Sequence, residues 1–359
     1  MKMSFQHPDL YVRMLNELSF GAQMGVIMKK TTVIFALCFI VILTLSACKT
    51  VNQLPDAEND TAEVKLRSRE KVQPSIPSPS PGDTVINFPD DNFMAAVREI
   101  IDKPTGDITL DDVAEIELIN VRNSNIADLS GIAYFTSLTK LDCSANELTS
   151  IDVTQNTALL YLDCSFNNLT SLDVTKNTAL TYLSCGHNIL SSLDVAANTA
   201  LTDLKCDVNQ LASLDVTTIT GLLLLDCSNN HLLASLDVTQ NTALTSLNCG
   251  HNRMTSLDVT VNTELEYLTC GANQLTTLDV TANTELIYLE CGYNQLTSID
   301  VAANTKLTHL NCFSNQLTSL DVTTNTELIH LNCEDNSMRN PSAVIGVDKS
   351  KTKFIFYHQ

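Results

Sequence analysis

Ten of the twelve cysteines, Cys143, Cys164, Cys185, Cys206, Cys227, Cys249, Cys270, Cys291, Cys312 and Cys333, stand 21 residues apart, with a single interval of 22 at the fifth step. Thiols in such number can cross-link, ligate a metal or fill an interior. One cysteine per interval gives no paired spacing of the kind a zinc site needs. Disulfides between neighbouring copies are within reach at strand spacing, but side chains projecting in parallel match the required dihedral poorly. The favoured reading is a column of buried free thiols, in which a small polarizable side chain suits a narrow core.

The same interval carries a column of carboxylates: Asp152, Asp173, Asp194, Asp215, Asp237, Asp258, Asp279, Asp300 and Asp321. Two chemistries compete for it. Each Asp could accept hydrogen bonds from adjacent turn backbone or threonine, or the column could hold Ca²⁺. Calcium asks for six to eight oxygens, and one carboxylate per interval is a thin supply. A further set of side chains is irregular: Tyr161, Phe166, Tyr182 and His187, then Tyr267, Tyr288, Tyr293, His309 and His330. Tyrosine offers rigid contact area with a polar tip, the chemistry of recognition surfaces. Neighbouring aromatics can equally serve only to stabilise a sheet. His309 and His330 could also ligate a metal with Glu290 or Asp335, a weaker reading, and no metal or cofactor is expected.

The element that positions all of these is one repeat, LTKLDCSANELTSIDVTQNTA at 138–158, with apolar residues at positions 1, 4, 6, 11, 14 and 16 and Asn at position 9. Leu-x-Cys alternates inward and outward as a short strand does. Positions 3, 5 and 8 therefore face outward, and the tyrosines and histidines above fall at positions 3 and 8. The Asn at position 9 recurs in all ten copies, from Asn146 to Asn336. A buried amide donates and accepts at once, so stacked Asn side chains can satisfy backbone groups where each strand turns. The second half of the repeat is too short and too rich in Thr, Val and Asn for a helix, which predicts turns or extended chain there.

This pattern matches the leucine-rich repeat, with Cys replacing its third Leu. The predicted fold is a leucine-rich-repeat solenoid: a parallel β-sheet lining the concave face, an extended or turn-built convex side, a small α-helical N-terminal cap and a β C-terminal cap. Eleven rungs are expected over 116–336, counting an atypical first one at Ile116, Ile119, Val121 and Ile126. In 85–115, Phe93, Ala96, Val97, Ile100 and Ile101 share one helical face, and Thr109 looks like a second helix start. SAVIGV and KFIFYH, within 337–359, read as two closing strands. The stretch from about 85 to 336 resembles the internalin-like family in its cap and repeats, though typical family repeats lack the Cys column and the Val/Thr/Asn-rich half. That resemblance implies adhesion or contact with other cells.

The amino terminus carries a different logic. Met28-Lys29-Lys30, an apolar run from Thr32 to Leu45 and small residues before Cys48 form a secretory signal, 1–47, with Met28 as the expected true start. The run is shorter than the roughly 20 residues a spanning helix needs. Leu45-Ser46-Ala47-Cys48 resembles the lipobox of bacterial lipoproteins, which implies lipidation of Cys48, a durable attachment, and, with Lys49 following, delivery to the outer membrane or cell surface. Residues 48–84, with PSIPSPSP at 74–81, read as a disordered proline- and serine-rich tether.

A formal charge of −20 repels phosphate backbones and makes nucleic acid an unsuitable partner. No Gly-x-Ser-x-Gly elbow, His-Glu-x-x-His pair or phosphate-binding loop is present, so an enzyme is not expected. The sequence points to a lipid-anchored envelope protein that binds a partner protein through the concave face at Tyr161, Phe166, Tyr182, His187, Tyr267, Tyr288, Tyr293, His309 and His330. Glycan or peptidoglycan binding, and a structural spacer, are the alternatives.

Overall fold

The computed structural model describes residues 84–356. Cys48, the signal, the lipobox and the tether lie outside the described residues.

The repeats form one parallel sheet of twelve strands. Its strands are β1 (Leu118–Asn120), β2 (Lys140–Asp142), β3 (Tyr161–Asp163), β4 (Tyr182–Ser184), β5 (Asp203–Lys205), β6 (Leu224–Asp226), β7 (Ser246–Asn248), β8 (Tyr267–Thr269), β9 (Tyr288–Glu290), β10 (His309–Asn311), β12 (His330–Asn332) and β14 (Lys353–Ile355). Every strand pairs with its successor in strict register, so each residue type stacks on its counterpart one repeat away. The central Leu of each repeat strand is buried and its two neighbours are partly covered, except that Asp163 and Ser184 are buried too, which is broadly the alternation that Leu-x-Cys dictates.

Behind the sheet, Leu at positions 1, 4 and 11, Cys at position 6 and Val at position 16 form one continuous core. All ten cysteines are buried, free thiols. Burial pushes the thiol of Cys227 and its fellows well above the ordinary range, which keeps them protonated and unreactive. The 22-residue copy absorbs its extra residue at His231-Leu232, where Leu232 is extruded and exposed.

Two asparagine columns bind the turns. At position 9, Asn167 Nδ2 donates to the carbonyls of Cys143 and Cys164, and its Oδ1 accepts from Leu148 N–H. The pattern recurs through the array, for example at Asn209 and Asn294. At position 19, a second column runs through Asn156, Asn177, Asn198, Asn241, Asn262, Asn283, Asn304 and Asn325. Each donates twice to the preceding turn, as Asn177 does to the carbonyls of Val153 and Asn156, while its Oδ1 has no partner. Ile219 takes this place in one copy.

The Asp column adopts the turn role. Asp152 Oδ1 accepts from both the N–H and the hydroxyl of Thr154, at 3.0 and 2.7 Å, and the other eight carboxylates accept from the residue two places on. The threonine hydroxyl and the backbone N–H hold carboxylates such as Asp215 and Asp279 below their usual range.

Helix α1 (Asp91–Ile100) covers the front of the core with Phe93 and Val97. Its N-cap Asp90 accepts from the N–H groups of Asn92 and Phe93 with one oxygen and from those of Ala127 and Asp128 with the other, so one carboxylate caps the helix and fastens it to the first repeat. A short helix α2 (Leu110–Val113) follows, closed by a Thr109–Asp112 capping box. At the back, β14 joins the main sheet as its last strand. The other closing strand, β13 (Val344–Ile345), lies elsewhere: it pairs with β11 (Leu320–Asp321) in a separate two-stranded sheet. The first thus extends the strand of the tenth repeat, and the second pairs with the latter half of the ninth. Among the described residues no helix is long and apolar enough to cross a membrane.

Candidate functional site

Position 3 supplies a single row across the sheet. Tyr161 pairs in register with Tyr182, and Tyr267, Tyr288, His309 and His330 follow one another on β8, β9, β10 and β12. All six are partly exposed, since sheet neighbours cover their flanks. Phe166, His187 and Tyr293 occupy position 8, in the turn after the strand. That position has positive φ in every repeat, at 55° for Phe166, 54° for His187 and 50° for Tyr293. The conformation costs a non-glycine residue about 1–2 kcal/mol. It is held because the position-8 N–H bonds to the position-7 carbonyl of the next repeat, as Phe166 does to Gly186. The turn aims the side chain outward, and Phe166 and Tyr293 are 52% and 57% exposed, unusually high for aromatic rings.

Most of these side chains meet in local ring contacts. Tyr161 and Tyr182 lie face to face, centroids 4.4 Å apart and planes within 5°. Phe166 stacks on His187 at 4.0 Å. No ring contact joins these two pairs among the described residues. In the second group Tyr288 meets His309 at 5.9 Å, and His309 meets His330 at 5.8 Å. Tyr293 packs edge-on against Phe313 at 4.4 Å, a ring that sequence reasoning missed. Phe313 stands at position 7, where other copies carry Ser, Gly, Asp or Glu. That departure from the repeat was the available signal.

Position 5 has a task that the strand alternation alone did not announce. Where it is Asp, its side chain accepts the N–H of position 7 in its own repeat, as Asp142, Asp163 and Asp226 do for Ser144, Ser165 and Ser228. In β8 this place holds Thr269, and Gly271 N–H is accepted instead by Glu290 of the next repeat, at 3.1 Å. The longer Glu290 side chain serves its own Gly292 N–H as well, at 3.0 Å. A Cβ on Gly271 would stand 2.2 Å from Glu290 Oε2 and would displace the carboxylate, and one on Gly292 would stand 2.5 Å from the Phe313 ring.

The electrostatics differ between the two groups. Lys140 Nζ lies 4.4 Å from the Tyr161 centroid and Lys205 Nζ 5.6 Å from that of Tyr182, so the stacked pair has a cation on each side. His187 Nε2 is 3.5 Å from Asp207 Oδ2. Burial and the neighbouring Asp226 charge push Asp207 up to about 6. In the second group, burial pushes Glu290 up to about 7 against the pull of the Gly292 and Gly271 N–H donors. Burial, together with His309 and Lys353, brings His330 down to about 4, leaving it neutral near pH 7. The arrangement can stack and hydrogen-bond a ligand along an open face. The described residues bring no three His, Cys, Asp or Glu side chains into a metal-holding group.

Comparison with known proteins places this geometry. Internalin J of Listeria monocytogenes serotype 4b (strain F2365) is 41% identical over 71 residues, a match that spans 20% of this chain and 8% of that protein. The solved functional domain of InlJ from Listeria monocytogenes, which includes a cysteine ladder, is 36% identical with a TM-score of 0.63, over 76% of this chain and 69% of that one. The internalin inlF of Listeria monocytogenes str. 4b F2365 is 26% identical with a TM-score of 0.60, over 69% of this chain and 83% of that one. No protein-family model matches the chain.

Proposed function

This chain belongs to the internalin-like bacterial leucine-rich-repeat proteins, and from that premise we propose that it binds a partner protein through the sheet face of its repeats, in adhesion or contact with other cells. The observation that carries the reading is the row of aromatic and imidazole side chains on that face, in a chain whose aromatic content is only 5%. Phe166 and Tyr293 support it further: a core would not leave such rings half exposed, and a turn at positive φ does not favour them. The face is open along its length, which suits a macromolecule better than the enclosed substrate of an enzyme. In this reading lipid on Cys48 anchors the protein to the cell envelope, at the outer membrane or cell surface, and residues 48–84 hold the repeats away from it. Glycan binding is the second reading, favoured by the exposed faces of Phe166 and Tyr293, since flat rings stack on sugars.

The test compares wild-type chain with Tyr267→Ser/Tyr288→Ser by crosslinking on intact cells, with a glycan array probed by both proteins in parallel. A protein crosslinked by the wild type and lost from the variant is the expected result. A glycan signal lost from the variant, with no protein crosslink, moves the assignment to sugar. Identical behaviour of the two proteins in both assays overturns a recognition role for this face and leaves a structural spacer. Protease treatment of intact cells settles the outward placement separately, since a repeat body shielded until the envelope is permeabilised cannot be an adhesin.

A further inference from the structure

The two aromatic groups differ in one respect that identifies a ligand chemistry. At Tyr161 and Tyr182 the chain supplies its own cations, Lys140 and Lys205, one on each side of the stacked rings. A ring face is attracted to a positive charge, and here the attraction is satisfied internally. At the second group, among the described residues, no lysine stands over Tyr288 or Tyr293, and no Lys or Arg forms an ion pair with Glu290.

Glu290 is nevertheless seated with care. Its carboxylate fills the space beside Gly271 that a Cβ would take, and two backbone N–H groups fix it. Each oxygen accepts one hydrogen bond, so the carboxylate keeps further lone pairs. The ring of Phe313 presses on the same face of Gly292 as Glu290 Oε1, and Tyr293 packs edge-on against that ring. Tyr288, two residues before Glu290 on the same strand face, feels its charge. A partly exposed carboxylate thus lies beside aromatic rings, and among the described residues no Lys or Arg pairs with it or stands over Tyr288 or Tyr293. The elevation of Glu290 toward neutrality has the same origin: its charge is desolvated without a counter-charge.

We propose that the face around Glu290, Tyr288, Tyr293 and Phe313 is an anchor for a basic side chain, an arginine or lysine presented by a positively charged segment of a protein partner. The proposal rests on the sheet-face reading and names the partner's chemistry. Charge complementarity favours it, since a chain of net −20 draws basic partners and repels acidic ones. Arginine fits particularly well because its planar head can stack on a ring while its N–H groups reach a carboxylate.

The probe is a labelled (Gly-Arg)₅ peptide and its uncharged (Gly-citrulline)₅ counterpart, titrated into the full chain by fluorescence anisotropy at about 0.15 M salt, where long-range attraction is screened beyond ~8 Å. The arginine peptide is expected to bind and the citrulline peptide to bind at least tenfold more weakly. Glu290→Gln, which keeps an acceptor for one glycine N–H, should lose about tenfold, or ~1.4 kcal/mol. Phe313→Leu should lose severalfold while leaving Glu290 in place. Asp279→Asn removes a full negative charge from a turn and should still change affinity less than twofold. Equal binding of the two peptides, or equal losses in Glu290→Gln and Asp279→Asn, overturns the proposal. If Tyr267→Ser/Tyr288→Ser abolishes the crosslink on cells while the wild-type chain ignores the arginine peptide, partner binding stands and the basic anchor falls.

Discussion

At the scale of single residues, the two asparagine columns are chemically alike and energetically different. The position-9 amide is spent in full: Asn209 Oδ1 accepts the N–H of Leu190, and its Nδ2 donates to the carbonyls of Cys185 and Cys206. Its loss strands a buried backbone donor that has no substitute. The position-19 amide only donates, as Asn198 does to the carbonyls of Val174 and Asn177. Those carbonyls already accept from the N–H groups of Asn177 and Leu180. Asn209→Ala is therefore expected to cost about 1–3 kcal/mol for each buried group left unpaired, and Asn198→Ile substantially less. Urea unfolding of both variants checks the order, and equal costs would refute it. Ile219 is the natural precedent for the milder change. The sequence announced position 9, because the amide there belongs to the repeat pattern. It gave no comparable notice of position 19, because Asn in a Thr-rich stretch is equally at home in a solvated turn. Glu290 was harder still: its role follows from Thr269 one repeat earlier, and only the register brings the two together.

At the scale of elements, the strands were legible and the joints were not. Leu-x-Cys at fixed intervals leaves little choice but a stacked parallel sheet. Positive φ at position 8 was hidden, because Ala145, Phe166, Val208 and Tyr293 are poor formers of that conformation and the turn imposes it on them. The junction between helix α1 and the first repeat was hidden for a similar reason. Asp90 reads as an N-cap, but its second oxygen reaches Ala127 and Asp128, far along the chain. Partial burial tends to raise its pKa, and the N–H donors of Phe93, Ala127, Asp128 and Asn92 outweigh that and hold it below the usual carboxylate range. A depressed folded pKa means that the ionised form stabilises the fold. The contribution is complete above the unfolded value, about 3.9, and is lost as pH falls through the folded value. Asp90→Ala should therefore cost about 1–2 kcal/mol near neutrality, a gap to the wild type that narrows below about pH 4. Thermal unfolding of the pair between pH 7 and pH 3 measures it. A gap that stays constant over that range would show that the carboxylate charge contributes nothing.

At the scale of the whole array, stability is built from neighbours, since each rung touches only the ones before and after it. The cysteine column is a built-in reporter of that design, with one buried thiol in each of ten rungs and none of them reactive while covered. The last rung depends on β14, whose Ile355 carbonyl accepts from both Cys333 N–H and, at 3.8 Å, its Sγ–H. Burial, reinforced by the Glu334 charge, raises the Cys333 thiol to about 12 in this covered state. Ending the chain at Asp348 removes β14 and leaves β13 in its separate pairing with β11. If rungs are stabilised locally, Cys333 should be the first to open to alkylation, with Cys312 following more slowly and Cys227, near the middle, staying protected. Mass spectrometry after brief iodoacetamide treatment reads all ten sites at once. Simultaneous labelling of the whole column would mean that the terminal strand holds the array together cooperatively. The sheet face, Glu290 and its rings included, would then depend on a cap that none of them touches.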